Sequence, residues 1–318
     1  MTRLFSRRTF SLLAAGGLLC GLAAAPALAQ EKVVRIGYQK YGTLILLKNR
    51  GLLEEKLKPL GYSVKWAEFP AGPQLLEALN AGAIDFGNTG EAPPIFAQAA
   101  GAPLVYVGYE PAAPQGEAIL VPKDSPLKSV ADLKGKTVAL NKGSNVHYLL
   151  VKALEKAGVP YSDIKTAFLT PADARAAFER GAVDAWAIWD PFQAAAEQTL
   201  GARSLADGTG IVSNYQFYFS TQKFVQQAPE VVDAVLSAVA EIGAWTKANP
   251  RAAAEQFSPL IGIPVPILEV ALGRQQYDVK PLTPDVVAQQ QQVADTFAAL
   301  GLIPKPLKIS DAVRAPKS

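Results

Sequence analysis

The phrase Gly-Ala-Ile-Asp-Phe-Gly at 82–87 returns 99 residues later as Gly-Ala-Val-Asp-Ala-Trp at 181–186. Each copy follows an apolar helical stretch, Leu75 to Leu79 in the first and Ala174 to Phe178 in the second. Each leads through a short polar turn to a helix start that carries proline, Pro93-Pro94 after Thr89-Gly90-Glu91-Ala92 and Pro191 after Trp189-Asp190. A repeated helix–strand–turn–helix unit constrains the chain to two α/β lobes whose turns face one another across a cleft. Turn-to-helix junctions leave backbone N–H groups free at the positive end of the helix dipole, where small anions bind. The pattern points to a clamshell receptor for a small anionic solute.

The segments around the two copies fit this scheme. Val33 to Tyr38, Tyr62 to Trp66, Ile84 to Phe86 and Leu104 to Val107 read as strands separated by helices, which predicts a mostly parallel sheet covered on both faces. A second unit opens near Ala118, with strands at Lys136 to Leu140 and Ala167 to Leu169. Its best-patterned helix carries Val146, Leu149, Leu150, Ala153, Leu154 and Ala157 on one face. The alternating aromatic run Asn214 to Phe219 takes the chain back to the first lobe, and helices follow from about residue 229. The expected lobes are 30–117 with 215–318, and 118–214, so that two crossovers form a hinge.

Residues 1–29 stand apart. Arg3, Arg7 and Arg8 precede a small-apolar run from Leu12 to Ala25, and Ala27-Leu28-Ala29 has the form of a cleavage site. The run is shorter than the ~20 residues a bilayer span needs. Ser6-Arg7-Arg8-Thr9-Phe10-Ser11-Leu12 resembles the twin-arginine export signal. Cys20 lies inside the run after Leu19, which argues against lipid attachment, and its removal leaves a mature chain without cysteine. Such a chain has no disulfide and no thiolate chemistry in an oxidising compartment. Removing the signal also takes three arginines from the 31 basic residues, leaving 28 against 28 acidic ones. A neutral surface gives no support to nucleic-acid binding.

Four turns supply candidate binding groups: Gln39, Tyr41, Gly42 and Thr43; Asn88, Thr89, Gly90 and Glu91; Gly143, Ser144 and Asn145; Trp189 and Asp190. All fall where the carboxyl ends of strands meet helix starts, the usual ligand location in open α/β sheets. None has the phosphate-loop pattern. Hydroxyl, amide and backbone donors suit a sulfonate, whose single charge is spread over three weakly basic oxygens and needs no arginine fork. Thr89 and Ser144 are expected to give hydroxyls to it, and Ser144 also to cap its helix. Glu91 and Asp190 read as helix-start caps or, facing the cleft, as partners of a ligand ammonium. Trp189 is the aromatic expected at the cleft. His147, the sole histidine, reads as a capping or surface residue. One histidine and no mature cysteine cannot complete a zinc site of the usual N/S type. No G-x-S-x-G is present, so catalysis is not expected, and neither a metal nor a cofactor.

Ile36-Gly37-Tyr38-Gln39-Lys40, Phe69 to Gln74, Pro93 to Gly101, Leu169 to Phe178 and Val183 to Pro191 together resemble the periplasmic aliphatic sulfonate-binding proteins of ABC importers. The likeness covers nearly all of the mature chain. It implies the α/β two-lobed periplasmic binding protein fold of the two-crossover type (type II), a ligand cleft between lobes, a periplasmic monomer, and delivery of an alkanesulfonate to a membrane ABC permease with its ATPase. The turns at Gln39–Thr43, Asn88–Glu91 and Gly143–Asn145 match the family's anion-binding places. Family members often carry Asp where this chain has Glu91. Receptors of the same fold for taurine, nitrate or a thiamine-precursor pyrimidine, and enzymes built on it, remain alternatives. If Arg7 and Arg8 direct folded export, changing both to Lys should hold precursor in the cytoplasm, as cell fractionation would show; undiminished export would assign the signal to the general secretory route.

Overall fold

The computed structural model describes residues 32–315; the export signal and the last three residues lie outside the described residues. Its strands, in chain order, are β1 (Lys32–Tyr38), β2 (Tyr62–Glu68), β3 (Phe86–Gly90), β4 (Leu104–Glu110), β5 (Glu117–Val121), β6 (Thr137–Leu140), β7 (Lys165–Phe168), β8 (Ala185–Trp189), β9 (Arg203–Asp207) and β10 (Gln216–Thr221). They form two five-stranded sheets, ordered β2-β1-β3-β10-β4 and β7-β6-β8-β5-β9. The fourth strand of each sheet runs antiparallel to both its neighbours. In the first sheet that strand is the aromatic return segment β10. In the second it is β5, the first strand made after the outward crossing.

The repeated phrase occupies matching places, ahead of the third strand in each sheet order, and its conserved-looking features have local causes. Gly82 and Gly181 hold φ +70° and +69° with open space where a Cβ would stand, so glycine answers the left-handed backbone there and not a shortage of room. Asp85 N–H donates to Arg35 O at 2.8 Å while its carboxylate accepts from Arg35 N–H at 2.9 Å. Asp184 repeats the tie on β6, donating to Thr137 O at 2.9 Å and accepting from Thr137 N–H at 2.7 Å. Each aspartate thus pins the register of its strand against the strand beside it. Arg35 adds its guanidinium to Asp85, with Nη2 at 2.6 Å from Oδ1.

Both sheets are covered on both faces, and the alternation along single strands distributes the side chains. On β10, Tyr218 joins a core with Val34, Leu44 and Val235, while Phe217 and Phe219 join the opposite core with Leu75, Tyr106 and Phe297. On β5, Ile119 and Val121 meet Val138 and Leu150, while Ala118 and Leu120 meet Phe178 and Trp186. A fully buried aromatic or branched side chain contributes about 1.5–3 kcal/mol, so each short strand anchors its sheet by its side chains as much as by its ladder. The best-patterned helix forms as expected over Asn145–Lys156. The two crossing segments lie side by side: Ala113 N–H donates to Ser213 O at 3.0 Å and Gly208 N–H to Pro114 O at 2.9 Å. Asn214 between them takes a left-handed φ of 52°, a conformation asparagine tolerates better than most residues.

Removing either aspartate orphans the N–H it serves. Asp85→Ala and Asp184→Ala should each lower stability by about 1–3 kcal/mol, measured by urea unfolding, and a loss under about 0.5 kcal/mol would mean the ties are not structural.

Candidate functional site

The parallel strands end, and the antiparallel fourth strands begin, along one rim between the two sheets. A cavity there is lined by Gln39, Tyr41 and Gly72 after β1 and β2, Gly90 and Pro93 at β3, and Ser144 and Asn145 after β6. Trp189 and Asp190 at β8, Gly116 and Gln216 at the starts of β5 and β10, and Asn214 and Gln275 complete it. It measures about 30 Å³, room for about two waters and too little for an organic solute as it stands. The lining carries no lysine or arginine; Asp190 is its one charged side chain.

Seven of the residues expected at a cleft meet here: Gln39, Tyr41, Gly90, Ser144, Asn145, Trp189 and Asp190. The other six stand behind the lining, each for a visible reason. Tyr41 is the N-cap residue of helix Gly42–Arg50. Thr43 therefore lies inside the helix and gives its hydroxyl to Glu110 at 2.9 Å. Gly42 faces Asn88, whose backbone oxygen accepts from Gln39 Nε2 at 3.1 Å. The Thr89 hydroxyl donates to the carbonyl of Gly90 and is fully buried. Gly143 packs on Phe96. Glu91 turns away, accepting Tyr215 N–H at 3.1 Å and lining a separate cavity with Tyr148, Ser213 and Gln289.

The donors in the cavity now satisfy one another. Asn145 Nδ2 donates to Asn214 Oδ1 at 2.5 Å, and Gln216 Nε2 to the same oxygen at 3.4 Å. Tyr41 gives its hydroxyl to Gln216 Oε1. Asn145 presses so closely on β3 that a Cβ at Gly90 would lie 1.9 Å from its Nδ2, which is why that turn ends in glycine. Ser144 makes no side-chain cap; its hydroxyl donates to Asn141 O at 2.7 Å, contrary to the capping role read from the sequence. The Asn145 and Val146 N–H groups still open that 12-residue helix without intrahelical partners. Trp189 remains half-buried at the cavity wall.

Sequence reasoning missed Gly72, Pro93, Gly116, Asn214, Gln216 and Gln275 as lining residues. Gln216 and Asn214 carried a usable signal, since they begin the return strand; Gln275 carried none. His147 is also corrected: it is wholly buried, with Phe96 and Phe297 against its ring, Gly143 N–H donating to Nδ1 at 3.2 Å and Tyr161 Oη 2.7 Å from Nε2. Burial, and then the Lys142 charge, push its pKa down to about 4.

Buried acids surround the crossing. Burial raises Glu91 to about 7 against the hydrogen bonds from the Tyr215 and Asn214 backbone. Glu110 is likewise raised to about 7, while Tyr218 and Thr43 hydroxyls oppose the shift. Glu117, whose two oxygens have no hydrogen-bond partner among the described residues, is raised well above its ordinary value by burial and by Glu91. A raised carboxyl favours the fold fully below its unfolded pKa of 4.5, and that contribution is lost as pH rises through 7. Glu91→Gln should therefore gain about 1–3 kcal/mol over the native chain at pH 8 and nothing at pH 4. Urea unfolding at the two pH values checks this, and an equal effect at both would place Glu91 outside that titration.

Among the described residues, no three His, Cys, Asp or Glu side chains gather where a metal ion could be held. The NMT1/THI5-like family model matches residues 61–253. An Escherichia coli strain K12 protein named for aliphatic-sulfonate binding is 44% identical over 98% of this chain and 97% of its own. A Bacillus subtilis protein of the same name is 32% identical over 89% of this chain and 86% of its own. The alkanesulfonate-binding protein SsuA of Xanthomonas axonopodis pv. citri, solved bound to MOPS, superposes with a TM-score of 0.84 at 42% identity, covering 89% of this chain and 98% of that one. The periplasmic aliphatic sulphonate binding protein SsuA of Escherichia coli gives 0.82 at 45% identity, over 90% and 93%. The desulfurization enzyme DszB, at 16% identity and a TM-score of 0.64, shares the fold alone. The fold is the two-lobed α/β periplasmic binding protein fold of type II, and the chain belongs to the NMT1/THI5-like family and, within it, to the aliphatic sulfonates-binding proteins.

Proposed function

We propose that this protein is a periplasmic receptor that captures aliphatic sulfonates and delivers them to a membrane ABC importer for sulfur acquisition. The observation that carries the reading is a rim cavity lined by hydroxyl and amide groups, with no cationic side chain, beside the free N–H groups of helix Asn145–Lys156. A sulfonate keeps its charge at any physiological pH and spreads it over three oxygens, so neutral donors and a helix dipole suffice to hold it. Asn145, Gln216 and Ser144, which now bond to protein oxygens, would turn to sulfonate oxygens and exchange one set of bonds for another. Trp189 would border the apolar tail.

We assign 30–117 with 215–318 to one lobe and 118–214 to the other, with the paired crossing segments as the hinge, and we take the receptor to act as a monomer. The candidate ligand groups are Gln39, Tyr41, Gly90, Ser144, Asn145, Trp189 and Asp190, with Gln216 and Asn214 added from the return strand. Thr89 leaves the donor set because, unlike Ser144, it lies behind the cavity lining. The protein is a carrier and not an enzyme.

Calorimetric titration with butanesulfonate, taurine, nitrate and sulfate should give the tightest binding for butanesulfonate, and small-angle scattering should show a smaller radius of gyration at saturation. Tighter binding of nitrate or taurine would overturn the reading. Ser144→Ala should weaken butanesulfonate about 5- to 30-fold, the value of roughly 1–2 kcal/mol for one ligand bond, and native affinity in that variant would remove Ser144 from the site.

A further inference from the structure

The sole histidine is wholly buried with both ring nitrogens in hydrogen bonds, one of them to the turn that enters the cavity wall. His147 stands third in helix Asn145–Lys156. Its side chain reaches back past the helix start, where Nδ1 accepts the N–H of Gly143 at 3.2 Å. This is the geometry of a capping box, with an imidazole in place of the usual Glu or Gln. The next donors are met inside the turn: Ser144 N–H and the Ser144 hydroxyl both go to Asn141 O, at 3.2 and 2.7 Å. Gly143 N–H is met by the histidine instead.

The ring can accept that proton in only one form. With Nδ1 taking the Gly143 N–H, a neutral imidazole carries its own proton on Nε2 and gives it to Tyr161 Oη, 2.7 Å away. Burial, and then the Lys142 charge, keep the ring in that neutral form, as its pKa of about 4 records. The ring plane is fixed by residues that belong to the first sheet. Phe96, in helix Pro93–Ala99 after β3, lies nearly parallel to it at 13° with ring centres 6.3 Å apart. Phe297, in helix Pro284–Ala299, is 5.6 Å away, and Phe168 at the end of β7 closes the third side at 5.8 Å. Phe96 also sits against the turn itself, since a Cβ at Gly143 would lie 3.2 Å from its Cδ2. Turn, imidazole and Phe96 form one packed contact.

We propose that His147 is a positioning residue of the ligand site: by accepting the Gly143 N–H it holds the turn 143–145 in the orientation that puts Ser144 and Asn145 on the cavity wall. The proposal rests on the sulfonate-receptor reading. Without the acceptor, the buried Gly143 N–H is left unpaired, which costs more than the bond itself contributes, and the turn must rotate to find another partner. Ser144 and Asn145 follow directly in the chain, so they leave the wall with it. The wall has no lysine or arginine to attract an anion from a distance. Affinity then depends on donors at hydrogen-bond range, and such bonds weaken steeply once donor and acceptor are misaligned.

The test separates the acceptor from the ring. His147→Asn keeps an oxygen near the place of Nδ1 and loses the ring, whereas His147→Leu keeps an apolar filling and loses the acceptor. Titrated with butanesulfonate, His147→Asn should stay within about 3-fold of native and His147→Leu should weaken binding about 10-fold or more. Thermal unfolding without ligand should rank the two the other way, because the short polar side chain leaves a cavity among Phe96, Phe168 and Phe297. Affinities that rank the variants as their stabilities do would make His147 a packing residue only and overturn the proposal. Should His147→Leu fail to fold, the native protein decides. At butanesulfonate saturation, nitrogen NMR should show scalar coupling between the Gly143 amide nitrogen and His147 Nδ1, with the ring proton on Nε2. Loss of that coupling in the bound state, or a proton on Nδ1, would overturn it as well. A native protein that shows the coupling yet binds no butanesulfonate would instead remove the receptor reading.

Discussion

Each sheet of this molecule is completed by a strand that runs against the others and adjoins a crossing between the halves. β5 and β10 both lie fourth in their sheets, and both begin at the rim where the parallel strands end. This single constraint fixes the site. Antiparallel strands start where parallel ones stop, so Gly116 and Gln216 are carried to the same edge as the turns after β1, β3, β6 and β8. The crossings must also lie together, because both join the same two edges, and their mutual hydrogen bonds at Ala113, Pro114, Gly208 and Ser213 follow.

Asn214 ties this arrangement to the cavity. Its side chain donates to the Ala113 carbonyl on the outward crossing and accepts from Asn145 across the cleft and from Gln216 on the return strand. A group that drew Asn145 toward itself would release one of the bonds that hold Asn214 beside the outward crossing. The crossing segments and the cavity therefore share one set of polar partners. The acids beside them, Glu91, Glu110 and Glu117, are buried in the same region and disfavour the ionised form there, since burial removes the water that would stabilise their charge.

What the sequence made legible was whatever depends on neighbours along the chain. Gly82 and Gly181 report a backbone conformation, Asp85 and Asp184 report a tie to the adjoining strand, and Val146 to Ala157 report one helix face; each is visible in a short window. The aromatic run was legible as a return strand because its alternation sorts Tyr218 from Phe217 and Phe219. Contacts between distant segments were not legible. His147 is buried by Phe96 and Phe297, Asp190 meets Arg274 across 84 positions, and Gln275 reaches the lining from a turn with no periodic signal. Thr43 stands behind the lining for a smaller reason: its helix already begins at Gly42, which turns that hydroxyl inward onto Glu110. β9, short and polar, gave no alternation to read.

The return strand has a consequence for how the molecule is assembled. β10 sits between β3 and β4, yet more than a hundred residues separate it from either in the chain. The first sheet therefore cannot be closed until residue 221 has emerged, and β3 and β4 wait with unpaired edges while the second sheet is made. The second sheet has no such debt, since all five of its strands come from the unbroken stretch 117–207. Long-range pairings form late because the loop must be closed before the contact stabilises anything. The half of the molecule that is begun second is thus the half that can be finished first, and it is the finished half that the earlier one must find.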